Sequence, residues 1–424
     1  MRARTVLVMV LLLAAVACTT PEERRGTADG PADPLIEDVL VLGTEDGTVT
    51  VGSSSGVVLS AGRRQLAAPD GSRLYSTVLN DGSTTLEARD SATGDIVSRT
   101  KLRGRLDVRV ASLTGRAVAL MAPLPLGVDA TYALPRARTT IVVADPAGEG
   151  AARRYRLIGN FEPEAFSIDD TRLFLIQYLP AEAPTAYRVT FLDLGSGRVR
   201  SVFGRFKTPP ERMPGIRLAQ VFDPATEQLY TLYTNRAAEY AHGSWADASY
   251  GEREVSFVHV LNLRKGWAYC AGLPRALWGQ PAAAQALAPS PDGRSLYIVD
   301  SMRGMIAEMN TRTLEITRSE PIDLGPLEAG GTTARTTARM SADGSTLFVG
   351  DGGSSLARID AGTLRMIGRW PLPDDVSGLA LSEDGARLYA ALGGRVTIVD
   401  THTGDATATL AFGGIESILH VTTP

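Results

Sequence analysis

The chain has 424 residues, of which 47 are acidic and 43 basic, giving a formal charge of −4. No basic stretch stands out, which argues against a nucleic-acid partner; only Lys101, Lys207 and Lys265 are lysines, a bias that fits a GC-rich genome better than a functional choice. Its length suits one large β-domain or two ordinary domains.

Residues 1–17 read as a secretory signal peptide: Arg2 and Arg4 are followed by the apolar run Val6 to Ala17 and by the small residues Ala15-Val16-Ala17. The apolar run is too short for a membrane helix, which needs about 20 residues. Cys18, directly after the small residues, resembles the cysteine of a bacterial lipobox, although Ala15 stands where that motif usually has Leu. The resemblance implies that Cys18 is the lipid-bearing first residue of the mature chain and holds it on the extracytoplasmic face of the cell membrane. Acyl chains contribute about 0.8 kcal/mol per buried methylene, and two or more make a durable anchor. Residues 18–34 are then the lipidated cysteine and a flexible tether, since TTPEERRGTADGPADP is polar and cannot bury a core. Removal of Arg2 and Arg4 takes the charge to −6.

Residues 35–424 form the third region, and it repeats itself. A turn with Asp or Gly is followed by Leu and an aromatic residue: Asp70-Gly71 before Leu74-Tyr75, Asp292-Gly293 before Leu296-Tyr297, Asp343-Gly344 before Leu347-Phe348, and Asp384-Gly385 before Leu388-Tyr389. Looser copies place Leu173, Leu229 and Val118 in the same role. Downstream of each copy a β-branched run ends in Asp90, Asp145, Asp193, Asn262, Asn310, Asp360 or Asp400, then a turn. Asp and Asn suit that place because their side chains bond the backbone two residues on. Each unit therefore reads as four antiparallel strands, A to D, and the recurrence predicts an all-β fold, a β-propeller of four-stranded blades. PDGRSLYIVD at 291–300 resembles the YVTN β-propeller repeat, which implies a WD40-like ring and is silent about chemistry.

The number of blades is seven or eight. Seven complete units run from 66 to 414, and that repeat family is usually seven-bladed. Strand counting gives eight, because 39–42, 48–51 and 57–60 read as three strands and 417–421 as one, an extra blade assembled from both ends of the chain. Such closure would cover the edges that an open ring exposes.

In an up-and-down meander the A–B and C–D turns share one face, and the B–C and D–A connections share the other. The tight turns fall on the first face. The second receives the B–C insertions 122–138, 179–185 and 234–254 and the D–A insertions 204–217, 272–284 and 320–335. Long loops on a rigid scaffold are where binding concentrates. Tyr240, His242, Trp245 and Tyr250 in the longest insertion are candidate anchors for a glycan, a small ligand or an envelope protein, or else pack that loop against its blade. Tyr178 precedes another insertion, and Asp300, Arg303 and Asp351 begin later B–C connections, where they are mouth residues or ordinary surface charges.

Catalytic signals are poor. His242, His259, His402 and His420 occupy unrelated settings, and no H-E-x-x-H, paired-cysteine or EF-hand spacing supports a metal site. Cys270, beside Trp267 and Tyr269, reads as a buried structural thiol. Gly52-Ser53-Ser54-Ser55-Gly56 lies in a repeat turn rather than a strand-to-helix elbow. The Asp-x-x-Thr-Gly phrases at Asp90 and Asp400 resemble those of quinoprotein dehydrogenase blades, which usually close with Trp; here only Trp370 comes near. The expectation is a non-catalytic binding or scaffold module, with a lactonase-like or quinoprotein-like channel enzyme as the alternative. The sequence names no cofactor. Acidic and amide side chains converging in the channel would favour the enzyme.

Overall fold

The computed structural model describes residues 38–422, apart from 45–46, 63–64, 69–70, 126–133, 207–211, 214, 235–255, 279–283 and 325–334. The signal-peptide, lipid and tether readings on residues 1–34 lie outside the described residues, as do Tyr240, His242, Trp245 and Tyr250.

Eight antiparallel sheets of four strands make the ring. From the innermost strand outward, blade 1 is Gln65–Ala67, Arg73–Asn80, Ser83–Asp90 and Ile96–Arg103, and blade 2 is Asp107–Ala111, Val118–Met121, Arg138–Ala144 and Arg153–Ile158. Blade 3 is Asn160–Phe166, Arg172–Leu179, Ala186–Asp193 and Val199–Ser201; blade 4 is Ile216–Asp223, Gln228–Thr234, Ser256–Asn262 and Trp267–Gly272. Blade 5 is Gln285–Pro289, Ser295–Asp300, Met305–Asn310 and Glu315–Pro321; blade 6 is Thr337–Met340, Thr346–Gly350, Ser355–Asp360 and Arg365–Pro371. Blade 7 is Val376–Leu381, Arg387–Leu392, Arg395–Asp400 and Ala406–Ala411. Blade 8 joins the two ends of the chain: Ile415–Thr422 is innermost and pairs antiparallel with Val39–Thr44, followed by Gly47–Gly52 and Val58–Gly62. The eight-bladed alternative is therefore the observed one, closed by three N-terminal strands and one C-terminal strand. A short strand, Phe203–Gly204, adds in parallel to the outer edge of blade 4 and covers it.

The repeated phrases do the work read from them. The anchor residues Leu74, Val118, Leu173, Leu229, Leu296, Leu347 and Leu388 all lie in second strands and are buried. In the A–B turns Gly71, Gly293, Gly344 and Gly385 take φ of 66–73°, a left-handed conformation that glycine adopts without a Cβ clash. Blade 3 puts Asp170 at the same place, with φ 55°, which explains why that copy is harder to recognise. At the C–D turns Asp400 accepts the backbone N–H of His402 and Thr403 at 2.8 Å, and Asn262, Asn310 and Asp360 make the same kind of bond.

Middle strands read as continuous apolar runs because neighbouring blades cover both of their faces, whereas outer strands such as Arg365–Pro371 alternate buried and exposed residues. The core is accordingly a set of inter-blade layers. Leu287, Leu296 and Ile298 of blade 5 meet Tyr230, Val258 and Val260 of blade 4, and six further apolar clusters fill the junctions from blade 1/2 round to blade 7/8. The closing junction, blade 8 against blade 1, differs. Among the described residues it is joined by buried polar side chains: Thr50 Oγ1 donates to Gln65 Oε1 at 2.8 Å, and Gln65 Nε2 donates to Ser60 Oγ at 3.1 Å. Thr422 Oγ1 adds a bond to the Gly71 carbonyl at 3.1 Å.

Candidate functional site

Strand order fixes the two faces. Each innermost strand runs from the D–A side to the tight-turn side, so the connections 122–137, 180–185, 205–215, 235–255, 273–284 and 322–336 all leave one face. Val39, which opens the second strand of blade 8, lies at the opposite, tight-turn face, paired with Thr422.

Beneath the long-loop face, the wall of blades 2 to 4 carries a buried charge network. Glu162, on the innermost strand of blade 3, is its hub. Its Oε1 lies 2.9 Å from Arg109 Nε of blade 2, and its Oε2 accepts from Arg136 Nη2 at 2.9 Å. The Arg109 N–H points off the line to Oε1, so that contact is an ion pair rather than a hydrogen bond, and Arg109 Nη2 donates instead to the Ala122 carbonyl at 2.6 Å. The Arg109 and Glu162 side chains are only 2% and 5% exposed, so each needs the other. Two residues along, Glu164 accepts from Arg217 Nη1 at 3.2 Å and from Gln220 Nε2, which also reaches Thr231 Oγ1 at 3.0 Å. Burial pushes the Glu164 carboxyl above its usual range, against the opposing pull of Arg217.

The same residues hold the loop bases. Arg136, at the end of the blade 2 insertion, also donates to the Phe161 carbonyl at 3.1 Å, and its backbone N–H reaches the Ala181 carbonyl at 3.0 Å. Buried Asn160 donates to the carbonyls of Leu134 at 2.6 Å and Ala181 at 3.0 Å, drawing two insertions together. Met213, in the connection from blade 3 to blade 4, exchanges backbone bonds of 2.9 and 2.7 Å with Tyr187, whose ring stacks on Tyr233 at 4.6 Å. The bases of three long connections are thus fixed by buried polar contacts on rigid strands.

Tyr178 ends the second strand of blade 3 at this face. It is 8% exposed, and burial raises its hydroxyl well above the normal tyrosine value among Arg217, Glu162, Glu164 and Arg136. It is therefore part of the wall rather than an open anchor. Asp300 and Asp351 begin their B–C connections as expected, but neither is a mouth or surface charge. Asp300 is fully buried, accepting from Gln285 Nε2 and the Arg303 N–H at 2.9 Å each, and burial raises its carboxyl. Asp351 is 3% exposed and accepts from the Gly353 N–H at 3.0 Å and Arg369 Nη1 at 3.1 Å. The reason is the same in both: a carboxylate at the start of a short connection caps the turn's N–H groups. Arg303 remains exposed on the loop face. Cys270 is half-buried with Sγ 3.6 Å from Met213 Sδ.

Inside the ring, a channel space of about 1030 Å³ is bounded by the innermost strands, with Gln65, Arg109, Glu164, Gln220, Arg339 and Glu416 among its lining residues. A second space of about 440 Å³ opens towards the tight-turn side of blades 4 to 8 and shares Gln220, Val221, Arg339, Leu419 and His420 with the first. The larger space is of ligand size. Acidic and amide groups do converge in the channel wall, but Glu162 and Glu164 are each held by arginine. Among the described residues no three His, Cys, Asp or Glu side chains are grouped to hold a metal ion. None of these channel residues stood out in the sequence; the available signal was a charge inside the strand that precedes an anchor phrase.

These features define an eight-bladed β-propeller whose channel is lined by both polar and apolar side chains. No family model matches the chain, and no curated protein matches it either. Among solved structures it is similar to apo AztD from Citrobacter koseri, with a TM-score of 0.54 and 9% identity over 91% of this chain and 97% of that one. It is equally similar to the dihydro-heme d1 dehydrogenase NirN in complex with DHE, with a TM-score of 0.54 and 16% identity over 93% of this chain and 77% of that one. At such identities the likeness is one of fold.

Proposed function

We propose that the protein is a lipid-anchored binding module of the bacterial cell envelope, held at the extracytoplasmic face of the membrane through Cys18, which presents its long-loop face to an envelope protein, glycan or small ligand. The observation that carries this reading is the fixing of three long-connection bases by Glu162, Arg136, Asn160 and Met213 on one face of a rigid ring. Fixing the bases of connections on rigid strands lowers the entropy that binding at that face would cost. Tyr240, His242, Trp245 and Tyr250 are the aromatic anchors proposed for this surface, with Arg303 at its edge.

Two comparisons test the reading. Cys18→Ser should move the protein from the membrane to the soluble fraction. Affinity capture from intact membranes should recover a partner or ligand with the wild type and lose it on deletion of 236–252, with the circular dichroism spectrum unchanged. Identical captures would remove the aromatic insertion from the site. A second reading, a channel enzyme, is favoured by one observation: Glu164, held by Arg217 and Gln220, borders the channel as a buried carboxyl whose pKa burial raises. It predicts turnover in a lactone hydrolysis panel that Glu164→Gln abolishes.

A further inference from the structure

Arg339 is set apart from the other channel arginines by what it lacks. It stands on the innermost strand of blade 6 between Ala338 and Met340, both buried in the apolar layer against blade 5, so its backbone is fixed. Its side chain borders both channel spaces at the point where they meet, beside Gln220, Val221, Leu419 and His420. Arg109 and Arg217 face the carboxylates of Glu162 and Glu164 at 2.9 and 3.2 Å. Arg339 has no carboxylate partner among the described residues; its one hydrogen bond runs from Nη1 to the carbonyl of Ala338 at 2.8 Å. A guanidinium carries five N–H donors in a planar fork, so four stay available. Arg339 is part-buried in the channel wall, and burial lowers its pKa from the usual value.

We propose that Arg339 is the head-group site of a channel that takes a small organic anion, an oxyanion head bound by the guanidinium fork with an apolar body against Val221 and Leu419. The fork matches the two oxygens of a carboxylate or phosphate, and such pairing is strongest where water is thinned out. The walls suit the rest of the ligand: Leu419 is 53% exposed, a large apolar side chain presented to the same space. The remaining charges orient it. Glu164 is neutralised by Arg217, while Glu416 is exposed at the loop-face end of the space and disfavours a second anionic group there. This site is independent of the aromatic insertion and stands whether or not that insertion binds a partner.

The test is calorimetric titration of the purified full chain with inorganic phosphate, which offers the head alone, and with octanoate, which adds an apolar body. Saturable binding of either probe at one site per chain is expected. Arg339→Gln should weaken it at least tenfold, while Arg312→Gln, an exposed tight-turn arginine, leaves it unchanged. Binding of neither probe by the wild type, or equal binding by Arg339→Gln, overturns the proposal. A melting curve without ligand guards against misfolding: the variant orphans no carboxylate, so it should melt at or above the wild-type temperature. A fall of several degrees would make Arg339 a structural residue and would also overturn the proposal.

Discussion

Glu162→Gln isolates the hub of the loop-bearing wall. The substitution keeps volume and shape, so no cavity opens, and what changes is charge. Arg109, with its side chain 2% exposed, would lose its counter-ion at 2.9 Å, and Arg136, 18% exposed, would lose the other. Breaking a buried pair by removing one partner costs about 3–5 kcal/mol because the remaining charge is uncompensated. With an unfolding entropy of roughly 2.1 cal/mol/K per residue over about 390 residues, that is a fall in Tm of about 4–6 °C. Urea unfolding followed by tryptophan fluorescence reads the loss, and hydrogen exchange locates it: protection should fall at 134–137 and 180–185 and hold in blades 5 to 7. Glu162→Gln with Arg109→Met should recover much of the loss, since the stranded cation is gone. A single variant within 0.5 kcal/mol of wild type, or a double variant less stable than the single, would refute the hub.

Other expectations follow from different parts of the ring. Buried His259 has its pKa pushed down to about 4 by burial alone, so it is neutral when folded and takes a proton near pH 6.5 when unfolded. Its contribution, up to about 3 kcal/mol, is present above pH 6.5 and is lost as pH falls towards 4; His259→Gln should flatten unfolding free energy over that window. Gln65→Ala leaves Thr50 and Ser60 without their buried partner and should cost about 1–3 kcal/mol, with hydrogen exchange rising first in 47–62 and 65–80. Gly404→Ala forces a side chain at φ +84° whose Cβ would clash with the Trp370 ring of the preceding blade; it should destabilise by at least about 1–3 kcal/mol in thermal melts.

How much was legible depends on whether the signal was local. The Asp-Gly turns, the leucine anchors and the Asp or Asn strand ends are short-range devices, and among the described residues the strands and turns they predict are present. Closure by three N-terminal strands and one C-terminal strand was legible too, because the leftover strands had to pair. The channel was not. Arg109, Glu162 and Arg217 sit about 50 residues apart in sequence, and only the ring brings them to one wall. Asp300 and Asp351 misled for the opposite reason: a charge at the start of a turn reads as exposed, while here it caps the turn from inside. Nor did the polar seam at Gln65 announce itself, since one amide in a short strand carries no pattern.

The central claim, that the long-loop face is the recognition surface, is met most directly by site-specific photo-crosslinking in intact cells. A photoreactive residue at Ala183 or Met302, exposed on the loop face, is compared with one at Thr313 or Thr363, exposed on the tight-turn face. The account predicts specific adducts from the first pair and none from the second. Adducts from Thr313 or Thr363 alone would place recognition on the opposite face and contradict it.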